Sequence, residues 1–197
     1  MTTRTASVDR STRETQITVD LDIDGTGRSS IDTGLGFLDH MLTALSLHSR
    51  LDLAVSCEGD LDVDDHHTVE DTAIAVGRAV GAALGDKTDI RRFGEAHAPL
   101  DEALARVVID LSGRPCACVQ LDLVRDSIGM VACENLEHWF QSFAMEVRCA
   151  LHVDVLRGKN DHHKVEAAFK AFALALRSAV ARDERPAGVA STKGSLS

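Results

Sequence analysis

Apolar and polar residues alternate in several short stretches of the chain. Apolar residues occupy every second position from Ile17 to Ile23, and the same alternation recurs at residues 51–55 and 151–155. Strict alternation is typical of a strand with one buried face. Residues 106–111 and 116–123, separated by a Ser-Gly-Arg-Pro turn, are predicted to form two further strands.

Two Ala-rich segments show a helical spacing of apolar residues instead. The first contains Ala73, Val76 and Val80, and the second contains residues 169, 172 and 176, which are Phe, Phe and Leu. Such spacing places the apolar side chains on one face of a helix.

The chain contains an internal repeat. Asp-His-His-Thr-Val-Glu at residues 65–70 returns as Asp-His-His-Lys-Val-Glu at residues 161–166, and each copy opens one of the Ala-rich helices. Upstream, Leu-Asp-His-Met-Leu at 38–42 matches Leu-Glu-His-Trp-Phe at 136–140. A repeat of this length indicates a duplicated structural unit.

Each half therefore reads as strand, strand, helix, strand, helix. This order predicts an α+β fold of two similar halves, each with a mostly antiparallel sheet covered by helices on one face. We expect one compact duplicated unit, with residues 1–92 in the first half and residues 93–197 in the second. The boundary is expected where residues 85–98 interrupt the pattern. The pattern leaves open whether the halves pack through their helix layers.

The repeated motifs carry residues that bind metals. On a helix, His66 and Glu70 lie four positions apart and share a face. Neighbouring histidines diverge by roughly 100° around the helix axis, so each His-His pair indicates either two ions or one ion and one structural histidine. Asp65 and Asp161 could alternatively be ordinary helix N-caps. Because the whole arrangement occurs twice, we predict a metal site built from His40, His66, His67, Glu70, His138, His162, His163 and Glu166.

This ligand set contains nitrogen and oxygen but no thiolate. It suits Mn, Fe, Zn or Co and disfavours Cu(I) or iron–sulfur clusters. If the repeat symmetry exchanges two ions, one ion takes His66 with His163 and the other takes His67 with His162.

Composition narrows the functional classes. The 197 residues are 44% hydrophobic and carry a net charge of −10 at pH 7. This charge argues against nucleic acid and anionic membranes as partners. The five cysteines are odd in number and form no Cys-X-X-Cys motif, which argues against a disulfide framework. This cysteine usage favours a protein of the reducing cytoplasm. There is no apolar run of about 20 residues that could span a membrane. The N-terminus is polar and lacks the apolar core of a signal peptide, so we expect no targeting segment, with a transit peptide as the alternative.

Several motifs together resemble the imidazoleglycerol-phosphate dehydratase family. They are Gly-Phe-Leu-Asp-His-Met-Leu at 36–42, the two His-His motifs, Asp-Glu-Ala-Leu at 101–104 and Ser-Thr-Lys-Gly at 191–194. The likeness extends from about residue 10 to residue 196. The chain departs from the family pattern at Trp139, where a Phe is expected, and at Ala190, where a Pro is common, but neither position is a predicted ligand.

The resemblance implies a cytoplasmic hydro-lyase of histidine biosynthesis. It would convert imidazoleglycerol phosphate to imidazoleacetol phosphate and water through a metal-bound imidazolate. The resemblance also implies two Mn2+ per active site and an assembly of 24 subunits with active sites at subunit contacts. Catalytic roles are implied for Glu14, Glu70 and Glu166, of which Glu14 would be an acid/base that is not a ligand.

A phosphorylated substrate requires local cations despite the acidic chain. The residues that match the family's phosphate contacts are Arg92, Arg114, Lys170, Ser191 and Lys193. Arginine forks and a lysine charge suit such a group. Two other functions remain open at this point: a binuclear metallohydrolase of a small phosphorylated substrate, and a metal-binding assembly protein without enzymatic activity.

Overall fold

The computed structural model describes residues 3–183, 188–194 and 196. These residues form two four-stranded sheets, a two-stranded hairpin and four helices. The first half contains β1 (Thr5–Ser11), β2 (Thr15–Asp22), β3 (Ser29–Asp32), α1 (Gly36–Ser49), β4 (Asp52–Gly59) and α2 (His66–Leu84). The second half contains β5 (Phe93–Leu100), β6 (Ala103–Asp110), β7 (Cys116–Gln120), β8 (Ser127–Ile128), β9 (Val131–Ala132), α3 (Cys133–Val147), β10 (Ala150–Arg157) and α4 (Asp161–Val180).

The two sheets have the same topology. The strand order is β1-β2-β4-β3 in the first and β5-β6-β10-β7 in the second. Each has two antiparallel pairs and one parallel pair, the parallel pairs being β3 with β4 and β7 with β10. The predicted α+β fold of two similar, mostly antiparallel halves is therefore confirmed.

Each four-stranded sheet has one more strand than the sequence pattern indicated. The sequence predicted two strands before the first helix of each half, whereas three strands of each sheet precede it, because β1 and β5 were missed. The short hairpin of β8 and β9 before α3 was not predicted either. β1 alternates only between exposed and half-buried positions, so it lacks an apolar signal. β5 overlaps the boundary segment of residues 85–98, where Gly85-Asp86 and Pro99 were interpreted as interrupting the pattern. The strand itself contains Gly94 and Pro99. Both residues are tolerated on an edge strand.

Gly94 also explains how α4 lies so close to this edge strand. A Cβ atom at this position would lie 2.0 Å from the backbone oxygen of Ala175. Any side chain here would push α4 away from β5, so a glycine is required at this position by the packing.

The helices lie between the two sheets. α1 and α2 pack on the first sheet, α3 and α4 pack on the second, and contacts between α1 and α4 and between α2 and α3 join the halves. The halves thus pack helix layer to helix layer. Trp139 is fully buried in this layer and stacks on Phe143, with ring centroids 5.5 Å apart. The departure from the family pattern at Trp139 therefore changes the core and not the neighbouring His138. No helix in the described ranges is long and apolar enough to cross a membrane.

The N-terminus of α4 is fixed by a buried ion pair. Lys164 donates a hydrogen bond of 2.9 Å to Asp161 and one of 2.6 Å to the backbone oxygen of Asp122. The other Asp161 oxygen accepts bonds from the backbone N–H groups of Val124 and Arg125, at 2.9 and 2.7 Å. Burial raises the pKa of Asp161, but these bonds outweigh burial and leave its pKa below the ordinary value.

The alternative that the two aspartates are ordinary N-caps is wrong. Asn160, and not Asp161, caps α4, by accepting a bond from the backbone N–H of His162. Asp65 occupies the N-cap position of α2 without a capping bond, and its carboxylate accepts the backbone N–H of Ala132 at 2.8 Å. Both aspartates instead connect a helix N-terminus to the segment that precedes α3.

Replacing Lys164 with Ala is expected to lower the free energy of unfolding by about 3–5 kcal/mol, because it leaves Asp161 as an unpaired buried charge. Chemical denaturation measures the change. Lys159→Ala, which removes an exposed lysine close by, should change stability by less than about 0.5 kcal/mol. Equal stability of the two variants would show that the ion pair does not stabilise the start of α4.

Candidate metal centre

The first candidate ligand group consists of His40, His162 and Glu166. His40 lies on α1, while His162 and Glu166 lie one turn apart at the start of α4. The Nε2 atoms of both histidines are 3.2 Å from the same Glu166 oxygen. We call this set the α1–α4 group.

The second candidate group consists of His66, Glu70 and His138. His66 and Glu70 open α2, and His138 lies on α3. The Nε2 atom of His66 is 3.5 Å from one Glu70 oxygen, and that of His138 is 3.2 Å from the other. The two imidazole rings stack with centroids 5.2 Å apart. We call this set the α2–α3 group.

Each group combines residues from both halves of the repeat. His40 and His138 occupy equivalent positions, as do the His-X-X-X-Glu sequences that begin at His66 and His162. Because α1 packs on α4 and α2 packs on α3, each histidine from the first helix of one half meets the His-X-X-X-Glu sequence of the other. Packing between the helix layers thus produces two equivalent groups.

The donor atoms of each group suit a divalent cation. Within a group they all lie within 4.8 Å of one another. Metal–ligand distances of about 2.0–2.2 Å require donor atoms slightly closer together, which small side-chain rotations would supply. Each group offers two imidazole nitrogens and one carboxylate, the ligand types that suit first-row divalent metals. Six of the eight predicted ligands are thus brought together.

The remaining predicted ligands, His67 and His163, join neither group in the described part of the chain. Each is turned away by the helix rotation that separates adjacent residues. The Nδ1 atom of His67 lies 3.1 and 3.2 Å from the two Asp60 oxygens, and the Nδ1 atom of His163 lies 2.7 Å from Glu102. These carboxylates raise the pKa of both imidazoles. The crossed pairing of His66 with His163 and of His67 with His162 stays a prediction.

The residues that hold these imidazoles could not be recognised from the repeated motifs. Asp60, Glu102 and Asn135 were not assigned roles, and the Oδ1 atom of Asn135 lies 2.9 Å from Nδ1 of His66. Glu102 could have been found, because it lies in a quoted family motif and in the hairpin equivalent to that of Glu14. Asp60 and Asn135 carry no local signal, since only the tertiary fold brings them to the histidines.

Glu166 is strongly favoured in its anionic form. Its burial raises its pKa, but Lys170, whose Nζ atom is 2.7 Å from Oε1, and His40 outweigh this effect and lower the pKa to about 2. The carboxylate is therefore ionised at neutral pH, as a metal ligand must be. Lys170 lies beside the α1–α4 group through this ion pair.

Glu14 lies in the turn between β1 and β2, close to a predicted ligand. Its Oε1 atom is 3.7 Å from Nε2 of His67, and its side chain is half-exposed. A carboxylate in this position can reach both solvent and a molecule bound beside His67.

Four of the five predicted phosphate contacts line one cavity of about 510 Å3: Arg92, Arg114, Ser191 and Lys193. Lys170 is not among its lining residues. Arg92 is held by Asp110, at 2.6 and 2.9 Å, and donates a bond of 2.5 Å to the backbone oxygen of Ala190. Arg92 thereby anchors residues 190–193, so that three cationic side chains converge in an otherwise acidic chain.

Residues 33–176 match the family model of imidazoleglycerol-phosphate dehydratase. The imidazoleglycerol-phosphate dehydratase of Salinibacter ruber is 54% identical over 193 residues, covering 98% of this chain and 96% of that protein. That of Marinobacter nauticus is 51% identical over the full length of both. The chain also matches a longer relative from Phytophthora nicotianae at 55% identity, of which it spans 42%.

Solved structures agree with these sequence matches. Imidazoleglycerol-phosphate dehydratase from Staphylococcus aureus superposes with a TM-score of 0.82 at 37% identity, covering 90% of this chain and 99% of that one. The enzyme from Pyrococcus furiosus superposes with a TM-score of 0.81, also at 37% identity, covering 96% and 100% of the two chains. The chain therefore belongs to the imidazoleglycerol-phosphate dehydratase family.

Proposed function

We propose that this protein dehydrates imidazoleglycerol phosphate to imidazoleacetol phosphate and water, as a hydro-lyase of histidine biosynthesis. The observation that carries the proposal is the pair of equivalent His/His/Glu groups, in a chain that belongs to this family over nearly its whole length. The cavity lined by Arg92, Arg114 and Lys193 supports a phosphorylated substrate.

We further propose that each active site uses two Mn2+ ions and all eight predicted ligands. Each described group supplies three donors, fewer than an octahedral ion accepts. His67 and His163 are partly exposed and belong to neither group, which suits them to complete the coordination of ions shared with a neighbouring subunit. This arrangement fits an assembly of 24 subunits with active sites at subunit contacts. When bound, the ions would act as Lewis acids that withdraw charge from the imidazole ring of the substrate.

The protein's own residues then bind the substrate and transfer protons. The cationic cavity and Lys170 hold the phosphate, and the ion pair with Lys170 keeps Glu166 anionic. Glu70 and Glu166 are assigned as ligands that can also carry a proton. Glu14 is assigned as the acid/base, because its half-exposed carboxylate lies beside His67 without belonging to either group. It would accept the proton from the substrate carbon and pass that proton to the departing hydroxide, which leaves as water.

The compartment, the substrate class, the partners and the boundary between the halves are further parts of the proposal. We propose the cytoplasm as the compartment, a small phosphorylated imidazole as the substrate, and neither nucleic acid nor membrane as a partner. We also propose that the two halves divide at residues 92 and 93. The second half then begins with β5 and includes residues 184–187, 195 and 197, which lie outside the described residues.

Purified protein supplied with Mn2+ is expected to convert imidazoleglycerol phosphate to its keto product. His40→Ala and His138→Ala should each reduce kcat/KM at least ~100-fold, because a bound Lewis acid stabilises the transition state by several kcal/mol. His97→Ala, on an exposed position of β5, is the matched control. Simple phosphoesters tested in parallel distinguish a hydrolase. Hydrolysis of these compounds, or metal binding without any turnover, would refute the dehydratase.

Lys193→Ala and Arg114→Ala are each expected to weaken binding of the phosphorylated substrate by about 1.5–3 kcal/mol, because each removes a charge-assisted contact. Metal content should remain normal, since neither residue is a predicted ligand. Calorimetric titration and elemental analysis measure the two quantities. A variant that binds the substrate as tightly as the wild type would remove that residue from the phosphate site.

Removing the metal is expected to dissociate the assembly into smaller species, because the proposed coordination joins ligands of different subunits. Light scattering before and after chelation measures the mass, and addition of Mn2+ should restore it. An unchanged mass after verified loss of the metal would show that the ions are not shared between subunits.

A further inference from the structure

The turns that contain Glu14 and Glu102 are equivalent in the repeat. Glu14 lies between β1 and β2, the first antiparallel pair of the first sheet, and Glu102 lies between β5 and β6, the first pair of the second. Each turn lies near the start of the helix that carries a His-His pair, and each glutamate approaches the second histidine of that pair. The duplication would therefore give both glutamates the same role.

The two glutamates nevertheless make different contacts. Glu102 accepts a hydrogen bond of 2.7 Å from Nδ1 of His163, and its other oxygen accepts the backbone N–H groups of Lys159 and Asn160 at 3.0 and 2.9 Å. These bonds lower the pKa of Glu102 to about 2. Within the described ranges, the Glu14 carboxylate makes no hydrogen bond, and it lies 3.7 Å from Nε2 of His67, on the opposite side of the ring from Nδ1.

Asp60 occupies the orienting position in the first half. It follows β4, and its backbone N–H donates a bond of 3.0 Å to the backbone oxygen of Glu14, so it lies directly beside that turn. Both oxygens of its carboxylate face Nδ1 of His67, at 3.1 and 3.2 Å. The residue that follows the equivalent strand β10 is Gly158, so the second half has no carboxylate at the equivalent position.

We propose that Asp60 and Glu102 are positioning residues for His67 and His163, and that Asp60 releases Glu14 from this role so that Glu14 can transfer protons. Each carboxylate accepts the Nδ1–H, which fixes the tautomer and leaves the electron pair of Nε2 for a metal ion. Glu14 then faces the Nε2 side, where a bound substrate would lie. This proposal rests on the proposed function, because it takes His67 and His163 as metal ligands.

The test measures metal affinity without substrate. Metal-free protein is titrated with Mn2+ in competition with a chelating dye. Asp60→Ala and Glu102→Ala should each weaken binding about 10–100-fold, the usual effect of removing a carboxylate behind a ligating histidine. Asp60→Asn, which keeps an oxygen that can accept the Nδ1–H, should lie between Asp60→Ala and the wild type. Asp62→Ala, an exposed position in the same loop, should bind Mn2+ as the wild type does.

Glu14→Gln distinguishes a role of Glu14 in proton transfer from a role in orienting His67. It is expected to leave Mn2+ affinity within about twofold of the wild type while lowering turnover, because an amide cannot accept the substrate proton. Wild-type affinity in Asp60→Ala and Glu102→Ala would overturn the proposal, as would a loss of affinity in Glu14→Gln equal to that in Asp60→Ala. If Asp60→Ala does not fold, Asp60→Asn decides: wild-type affinity in this variant would also overturn the orienting role.

The two proposals can fail separately. The predicted order of affinities together with a wild type that does not dehydrate imidazoleglycerol phosphate would refute the function and keep the orienting role. Turnover by the wild type with unchanged Mn2+ affinities in the variants would keep the proposed function and refute the orienting role.

Discussion

Packing between the two helix layers determines where the candidate ligands lie. Neither half assembles a ligand group alone. The first helix of each half supplies a histidine to one group, and the last helix supplies its His-X-X-X-Glu sequence to the other group. Only the contacts of α1 with α4 and of α2 with α3 bring three donors together. The small residues of α2 and α4 permit this approach, as at Gly77, where a Cβ atom would lie 2.9 Å from Glu146. A change that widened the helix layer would separate both groups at once.

The start of α4 shows how polar contacts make this packing accurate. Apolar residues specify that α4 is buried, but they do not fix its rotation or its position along its axis. The Asp161–Lys164 pair and the backbone groups that it binds connect the first turn of α4 to residues 122–125. Since His162 lies in the same turn, these bonds also fix one of the candidate ligands. The acid before the His-His pair thus acts at the centre through position and not through coordination.

The sequence predicted much of the fold because burial in this protein follows simple periods. β2 alternates strictly between buried and exposed positions, and its pattern alone identified it. β1 and β5 were missed because edge strands are stabilised by backbone pairing that leaves little trace in side-chain composition. The ligand groups were predicted as a set because the duplication repeats them. Their division between helices was not, since it depends on how the halves pack, and Asp60 and Asn135 act through contacts that no local pattern records.

Duplication supplied two equivalent ligand groups, but their electrostatic surroundings have diverged. The residue four positions after Glu166 is Lys170, whereas the residue four positions after Glu70 is Ile74. Lys170 pairs with Glu166 at 2.7 Å, while Ile74 lines a cavity of about 480 Å3 together with Glu70 and His138. A fixed cation next to one carboxylate would repel a divalent ion in that group more than in the other. Solvent screening reduces this repulsion. The two groups are thus equal in ligand type and unequal in charge. The duplicated scaffold therefore presents two candidate groups of the same ligand types, one with a lysine beside its carboxylate and the other with an apolar side chain at the equivalent position.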